Sequence, residues 1–269
     1  MKIALCFSGQ VRDFKRTQHS LRRHILCPLK EHEVLLFAHY AGESPSLDTG
    51  LIFENALYEE LEPDYSEFQE EDHDVVARSW HRSSPLVSYL RQLRSISISD
   101  SLCRSYERDH GIVFDWVFRL RFDNLYITSL EDLQALPRDS IFIPAHDNWR
   151  GFNDRFAFGP SELMEIYANR LDHALIFIRE GKPLNPEIFL SYFLDKKSVS
   201  VERTKVCHHL LRYSSLWKAR FLPEQSDDLS FLPHRPLAAF RDTVSSAIGP
   251  YRYERLSRIW WQRPFLDWI

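Results

Sequence analysis

Two short stretches combine residue types that could grip a phosphorylated ligand, and two separate acids lie farther along the chain. The first stretch is Ser8-Gly9-Gln10-Val11-Arg12. Gly9 permits a turn and a close backbone approach, and Arg12 offers a forked cation that matches phosphate. The second is Arg119-Leu120-Arg121-Phe122-Asp123-Asn124. Two arginines and a carboxylate projecting the same way suit a diphosphate, or a divalent cation that would hold one. An internal Arg–Asp ion-pair network fits the same spacing, because charges beside a core strand must be paired. The acids are Asp154, in Asn153-Asp154-Arg155, and Glu187, in Asn185-Pro186-Glu187. Both are acids close to the ends of expected elements. Each also has an ordinary explanation: an ion pair with Arg155 for Asp154, and a favourable helix N-terminus for Glu187.

Other patterns carry less. The Ser8–Arg12 turn is neither a G-x-G-x-x-G nor a Walker loop, which disfavours dinucleotide and P-loop chemistry. Asp72-His73-Asp74 reads as part of a solvated acidic loop. In Cys207-His208-His209, neighbours on a strand point to opposite faces, so the pair reads as structural or surface histidines rather than a chelate. No G-x-S-x-G or His-x-x-x-His is present.

The elements that must position these residues follow from apolar periodicity. Lys2–Phe7 and Glu33–Ala38 are short apolar runs, expected as strands buried on both faces. Between them, Asp13 caps a helix from about Phe14 to Cys27, stopped by Pro28, which makes a β-α-β unit. A long helix begins at Ser84-Pro85 and ends near Gly111. Phe114–Asp123 alternates Phe114, Trp116, Phe118 and Leu120 with Asp115, Val117, Arg119 and Arg121, a strand with one greasy face. Further expectations are a helix over 129–136, a strand over 140–143 and a strand over 151–159. A helix over 161–179, a helix from Asn185 to Lys196 and a last strand over 199–206 complete the pattern. The fold class is therefore α/β, a mostly parallel sheet flanked by helices. Ligands in such sheets bind beyond the C-terminal strand ends, where both phosphate-gripping stretches fall.

Composition narrows the function classes. The chain has 269 residues, is 44% hydrophobic and 14% aromatic, and carries Lys+Arg 34 against Asp+Glu 38, a net charge of -4. It can build a large core, and the balance argues against a nucleic-acid partner. Four dispersed cysteines without a C-x-x-C read as reduced thiols. With no secretory-type leader and no run near the ~18 apolar residues of a membrane span, the expected location is cytoplasmic. Charge is unevenly placed. Residues 51–77 hold ten carboxylates and no Lys or Arg, and read as an acidic surface excursion. From Arg203 onward there are 11 Lys and Arg against 6 Asp and Glu, and residues 251–269 mix arginines with Trp and Tyr. That tail suits either a helix docked on the core or peripheral contact with the inner face of a membrane.

Several motifs together resemble a known family. Ile-Ala-Leu-Cys-Phe-Ser-Gly-Gln-Val-Arg, Leu-Leu-Phe-Ala-His-Tyr, Tyr89-x-x-Gln92, Val-Phe-Arg-Leu-Arg-Phe-Asp-Asn and Gly-Phe-Asn-Asp-Arg-Phe-Ala-Phe-Gly occur in order through roughly residues 1–200. They resemble the bacterial and viral glycosyltransferase-like proteins of surface-polysaccharide synthesis, which have the GT-A fold. The resemblance implies a GT-A-like catalytic domain over 1–206 and a separate extension over 207–269. It implies sugar transfer from a nucleotide diphospho-sugar to a glycan or lipid-linked glycan. Ser8, Gly9, Gln10, Arg12, Arg119, Arg121, Asp123 and Asn124 would line the donor, Asn153 and Gln92 the acceptor side, and Asp154 or Glu187 would be catalytic. It also implies Mn²⁺ or Mg²⁺ on Asp123, although Arg121 stands where the first acid of a D-x-D would be. A catalytically idle nucleotide-sugar or glycan-binding module and a nucleotidyltransferase are the competing classes.

Overall fold

The computed structural model describes residues 1–11, 14–41, 54–59, 86–182 and 185–211. Arg12, Asp13, the Ser84-Pro85 helix start, Asp72-His73-Asp74 and residues 251–269 lie outside the described residues.

A seven-stranded sheet runs in the order β3-β2-β1-β4-β7-β6-β8. Its strands are β1 (Lys2–Gln10), β2 (Glu33–Ala41), β3 (Asn55–Glu59), β4 (Trp116–Leu120), β6 (Ser140–Pro144), β7 (Ala157–Gly159) and β8 (Ser200–Thr204). Neighbours pair in parallel except that β7 is antiparallel to both β4 and β6. β5 (Asn124–Tyr126) and β9 (His208–Leu210) form a separate antiparallel pair. The helices are α1 (Phe14–Leu21), continued by a π turn (Arg22–Leu26), α2 (Leu86–His110), α3 (Ser161–Ala168), α4 (Leu171–Arg179) and α5 (Pro186–Lys196).

Strand alternation divides the core in two. Ile3, Leu5 and Phe7 of β1, with Trp116, Phe118 and Leu120 of β4, pack under Phe14, Leu21 and Ile25 of α1 and its π turn. Ala4 and Cys6, with Val117, face Tyr89, Leu90 and Leu93 of α2 and the apolar sides of α3, α4 and α5. β4 is therefore buried on both faces rather than greasy on one. Arg119, on the α2 side, is 2% exposed. Phe118, Phe142 and Phe158 stack across β4, β7 and β6, with ring centroids 4.8 and 5.0 Å apart.

Several boundaries differ from the sequence expectation for local reasons. β1 does not end at Phe7; it stays paired with β2 through Gln10↔Ala41, and Gly9 accommodates a φ of +106° within it. The helix after β1 loosens into its π turn, where Cys27 N–H bonds Arg22 O. β3 lies within the stretch read as an acidic excursion. The helix expected over 129–136 shrinks to a 3-10 turn, Leu133–Ala135, capped by Asp132.

The strand expected over 151–159 is only Ala157–Gly159. Ahead of it, Asp147, Trp149 and Arg150 adopt positive φ, and Asn148 Oδ1 takes the N–H of Asn153. The helix expected over 161–179 breaks at Asn169-Arg170. Asn169 returns its amide to Glu165 O and accepts from Ser97, competing with the helical ladder. Pairing also continues beyond residue 206, since β9 is held by β5 and Leu211 N–H bonds Asp123 O. Among the described residues no helix is long and apolar enough to cross a membrane.

Candidate functional site

Parallel strands β1, β4 and β6 end on one edge of the sheet, and antiparallel β7 begins there. That geometry brings residues 121–124 and 153–155 together, since Arg119 is paired with Ala157. Arg121 leaves β4 and makes a bidentate pair with Asp123: Nε to Oδ1 is 2.8 Å and Nη2 to Oδ2 is 2.9 Å. Its Nη1 donates to Gln92 Oε1 at 2.9 Å, and Gln92 Nε2 donates to Asp154 Oδ2 at 2.6 Å. One continuous chain therefore runs Asp123–Arg121–Gln92–Asp154, with Gln92 projected from α2.

Asp154 does not pair with its neighbour, as one reading of the sequence had it. Arg155 turns away to Asp147, Nη1 to Oδ2 2.7 Å. Glu187 follows Pro186 at the start of α5, whose cap is Asn185: its Oδ1 accepts from Glu187 N–H at 3.1 Å and Ile188 N–H at 2.9 Å. A helix N-terminus favours a charged acid. Burial first, then the nearby Asp154 and Asp147, nevertheless push the Glu187 carboxyl up to about 8 against the opposing pull of Arg155. Glu187 is 6% exposed and Asp154 5%. At neutral pH Glu187 thus holds a proton beside Asp154.

The other expected residues turn inward. Arg119 donates to Arg155 O, and Asn124 Nδ2 donates to the same carbonyl at 3.1 Å. Burial, with Arg121 and Arg170 nearby, lowers the Arg119 guanidinium to about 10. Asn153 is fully buried and spends its amide on His146 O and Arg155 N–H, which shapes the loop. Gly9 N–H bonds Ser95 Oγ at 2.9 Å, and that hydroxyl also meets His39 Nδ1 at 2.8 Å. Ser8 is buried beside a cavity of about 10 Å³ that Arg119, Ser99, Asp100 and Tyr167 also line. Gln10 is half-buried. Arg12 lies outside the described residues.

Sequence reasoning overlooked two residues. A Cβ at Gly151 would come 1.9 Å from Glu187 O, so only glycine lets the loop lie against α5, and Phe152 N–H then bonds that carbonyl. The scarcity of glycine in the chain was the available signal. Arg170, fully buried, lies 4.2 Å over the Tyr167 ring and adds a third guanidinium near Asp154. Nothing in its spacing marks it. His208 is buried against Tyr126 and Phe156, and burial drives its imidazole well below the usual range, so its role is structural.

The implied divalent cation does not fit this donor set. Both Asp123 oxygens are held by Arg121, a permanent cation occupies the place of the first acid, and no group of three metal-ligating side chains exists among the described residues. What the arrangement offers is fixed positive charge at a strand edge beside a proton-holding acid pair. No curated protein matches the chain. Residues 1–227 match the model of a domain of unknown function, DUF7796, and the chain belongs to that family.

Proposed function

We propose that the protein is a GT-A-type glycosyltransferase that moves a sugar from a nucleotide diphospho-sugar to a glycan or lipid-linked glycan hydroxyl. The observation that carries this reading is the Arg121–Gln92–Asp154 bridge with Glu187 beside it. It joins a cation suited to a leaving diphosphate to an acid pair suited to an acceptor hydroxyl. The mostly parallel sheet and the position of the site at its C-terminal edge support the same reading.

In this scheme Arg121 exchanges part of its pairing with Asp123 for the diphosphate, and Gln92 carries that change to Asp154. Asp154 accepts the hydroxyl proton, and protonated Glu187 lowers the negative charge around it. No step passes through a metal. Sugar transfer of this kind is cytoplasmic when its donors are. A thermal-shift panel of nucleotide diphospho-sugars, each with Mn²⁺ and with EDTA, tests the reading. At least one donor should raise the midpoint equally under both conditions. No shift from any donor overturns it.

One observation favours a second reading, a catalytically idle binding module. The Asp123 carboxylate is fully satisfied by Arg121 without any ligand. A donor that binds and is never cleaved would select this reading over the first.

A further inference from the structure

Arg119 is a buried cation that its hydrogen bonding does not explain. It stands on β4, 2% exposed, and its Nη1 donates to the Arg155 carbonyl. Its Nε and Nη2 meet no acceptor among the described residues, so no described acid is hydrogen-bonded to it. Taking a guanidinium out of water without a paired acid is costly. A carbonyl needs no charge to satisfy it, and this one already has a neutral donor. Asn124 Nδ2 reaches the same Arg155 oxygen at 3.1 Å.

The surroundings of that carbonyl supply a reason for the charge. It belongs to the residue after Asp154, in a stretch whose backbone is held by side chains. Arg155 N–H donates to Asn153 Oδ1 at 2.9 Å, and Asn153 N–H to Asn148 Oδ1 at 3.1 Å. The Asn153 amide donates to His146 O at 2.8 Å. Asp154 thus projects from a fixed support, and its Oδ2 accepts from Gln92 Nε2 at 2.6 Å. The ionisable groups that feel Asp154 come from four sides: Arg119 and Arg121 at the end of β4, Arg170 ahead of α4, Glu187 on α5 and Tyr89 on α2. Arg121 is committed to Asp123 through two hydrogen bonds, and Arg155 to Asp147. Arg170 lies over the Tyr167 ring and donates to the Tyr167 carbonyl. Arg119 keeps its charge unspent while its hydrogen bond falls on the segment that carries Asp154.

We infer that Arg119 is a positioning residue for Asp154: its hydrogen bond to the following peptide aims the carboxylate at Gln92, and its charge balances the carboxylate inside the protein. The inference rests on the proposed role of Asp154 as the base. It gives to that base a residue that the family resemblance gives to the donor. A base in a covered site must begin as the anion, and a fixed cation nearby favours that form.

The test uses full-length protein labelled with ¹³C at the aspartate carboxyl, the Asp154 signal being identified by its loss in Asp154→Asn. Arg119→Met and Arg119→Gln remove the charge and leave Asn124 on the carbonyl, whereas Arg119→Lys keeps the charge. Both neutral variants should raise the proton affinity of the Asp154 carboxyl about tenfold, and Arg119→Lys should leave it within about twofold of wild type. Where wild type turns over a nucleotide diphospho-sugar, the acid limb of the kcat profile should move with the titration and the donor KM should stay within about twofold. A purely structural arginine would change the thermal midpoint and leave the titration in place. The inference fails if the neutral variants titrate as wild type does, or if Arg119→Lys shifts as far as they do. A rise of about tenfold or more in donor KM at unchanged kcat also overturns it, since Arg119 would then hold the donor. So does failure of both neutral variants to fold, which would make the charge part of the core. Absence of nucleotide release by wild type from every donor overturns the glycosyltransferase reading instead, and the titration still decides the role of Arg119.

Discussion

Asp123 ends the Asp123–Arg121–Gln92–Asp154 chain and Glu187 lies near its Asp154 end; the two are buried to a similar degree, yet their circumstances are opposite. Asp123 is gripped through both oxygens by one guanidinium, so its charge is neutralised inside the protein. Glu187 has another acid for a neighbour, and burial keeps its proton on well above the ordinary range. Breaking the first arrangement would cost the fold stability whether or not anything binds. The second costs stability whenever the proton leaves, and proteins keep such costs where chemistry is done. Of the acids singled out by spacing, the Asp154–Glu187 pair is thus the better mark of a reacting centre, and Asp123 belongs first to the scaffold.

This contrast can be broken at several points. The largest effect is expected from Asp123→Ala, which leaves the mostly buried Arg121 without its counter-charge and should cost about 4 kcal/mol in denaturant unfolding. A loss below 1 kcal/mol would mean that the ion pair is not structural. Gly151→Ala should cost about 3 kcal/mol, because the new methyl meets the backbone carbonyl of Glu187 rather than a movable side chain.

A pH series then separates the two acids. The Glu187 carboxyl rises from 4.5 to about 8 on folding, so between those values the folded state holds the extra proton. Its contribution to stability is present below about 4.5 and is lost as pH rises to about 8, with a slope of up to roughly 1.4 kcal/mol per pH unit. Urea midpoints at pH 5, 6.5 and 8 should show that decline in wild type and a flatter profile in Glu187→Gln. The smallest effect is expected for Asn185→Ala, about 1 kcal/mol for the lost cap, with the Glu187 titration moved but not abolished.

How much of this was readable from the sequence depended on the range of the forces involved. β1, β2, α2 and α5 carry local signals, an apolar run or a capped periodic stripe, and their positions follow from them. β3 is hidden among carboxylates because its strand character comes from lying alongside β2. β5 and β9 are three residues each and exist by virtue of one another.

The site divides in the same way. Arg121, Asp123, Asp154 and Glu187 are visible as charged residues beside apolar strands and at a helix start. Gln92 stands in the Tyr89-x-x-Gln92 pattern that carries the resemblance, and its use as the bridge becomes evident only when α2 is packed. Alternation put Arg119 on the same side as Arg121, but whether that side was covered is a tertiary matter, and α2 and α3 cover it. Asn124 and Asn153 likewise serve the loop, through Arg155 and His146.

The most direct test of sugar transfer is to follow the release of nucleoside diphosphate from each nucleotide diphospho-sugar by wild type and by Asp154→Asn, with EDTA throughout. The account predicts release by wild type from at least one donor. It predicts a fall of about 100-fold or more in Asp154→Asn, the scale of a lost general base, with donor binding retained. Binding without release from every donor, or equal turnover by Asp154→Asn, contradicts it.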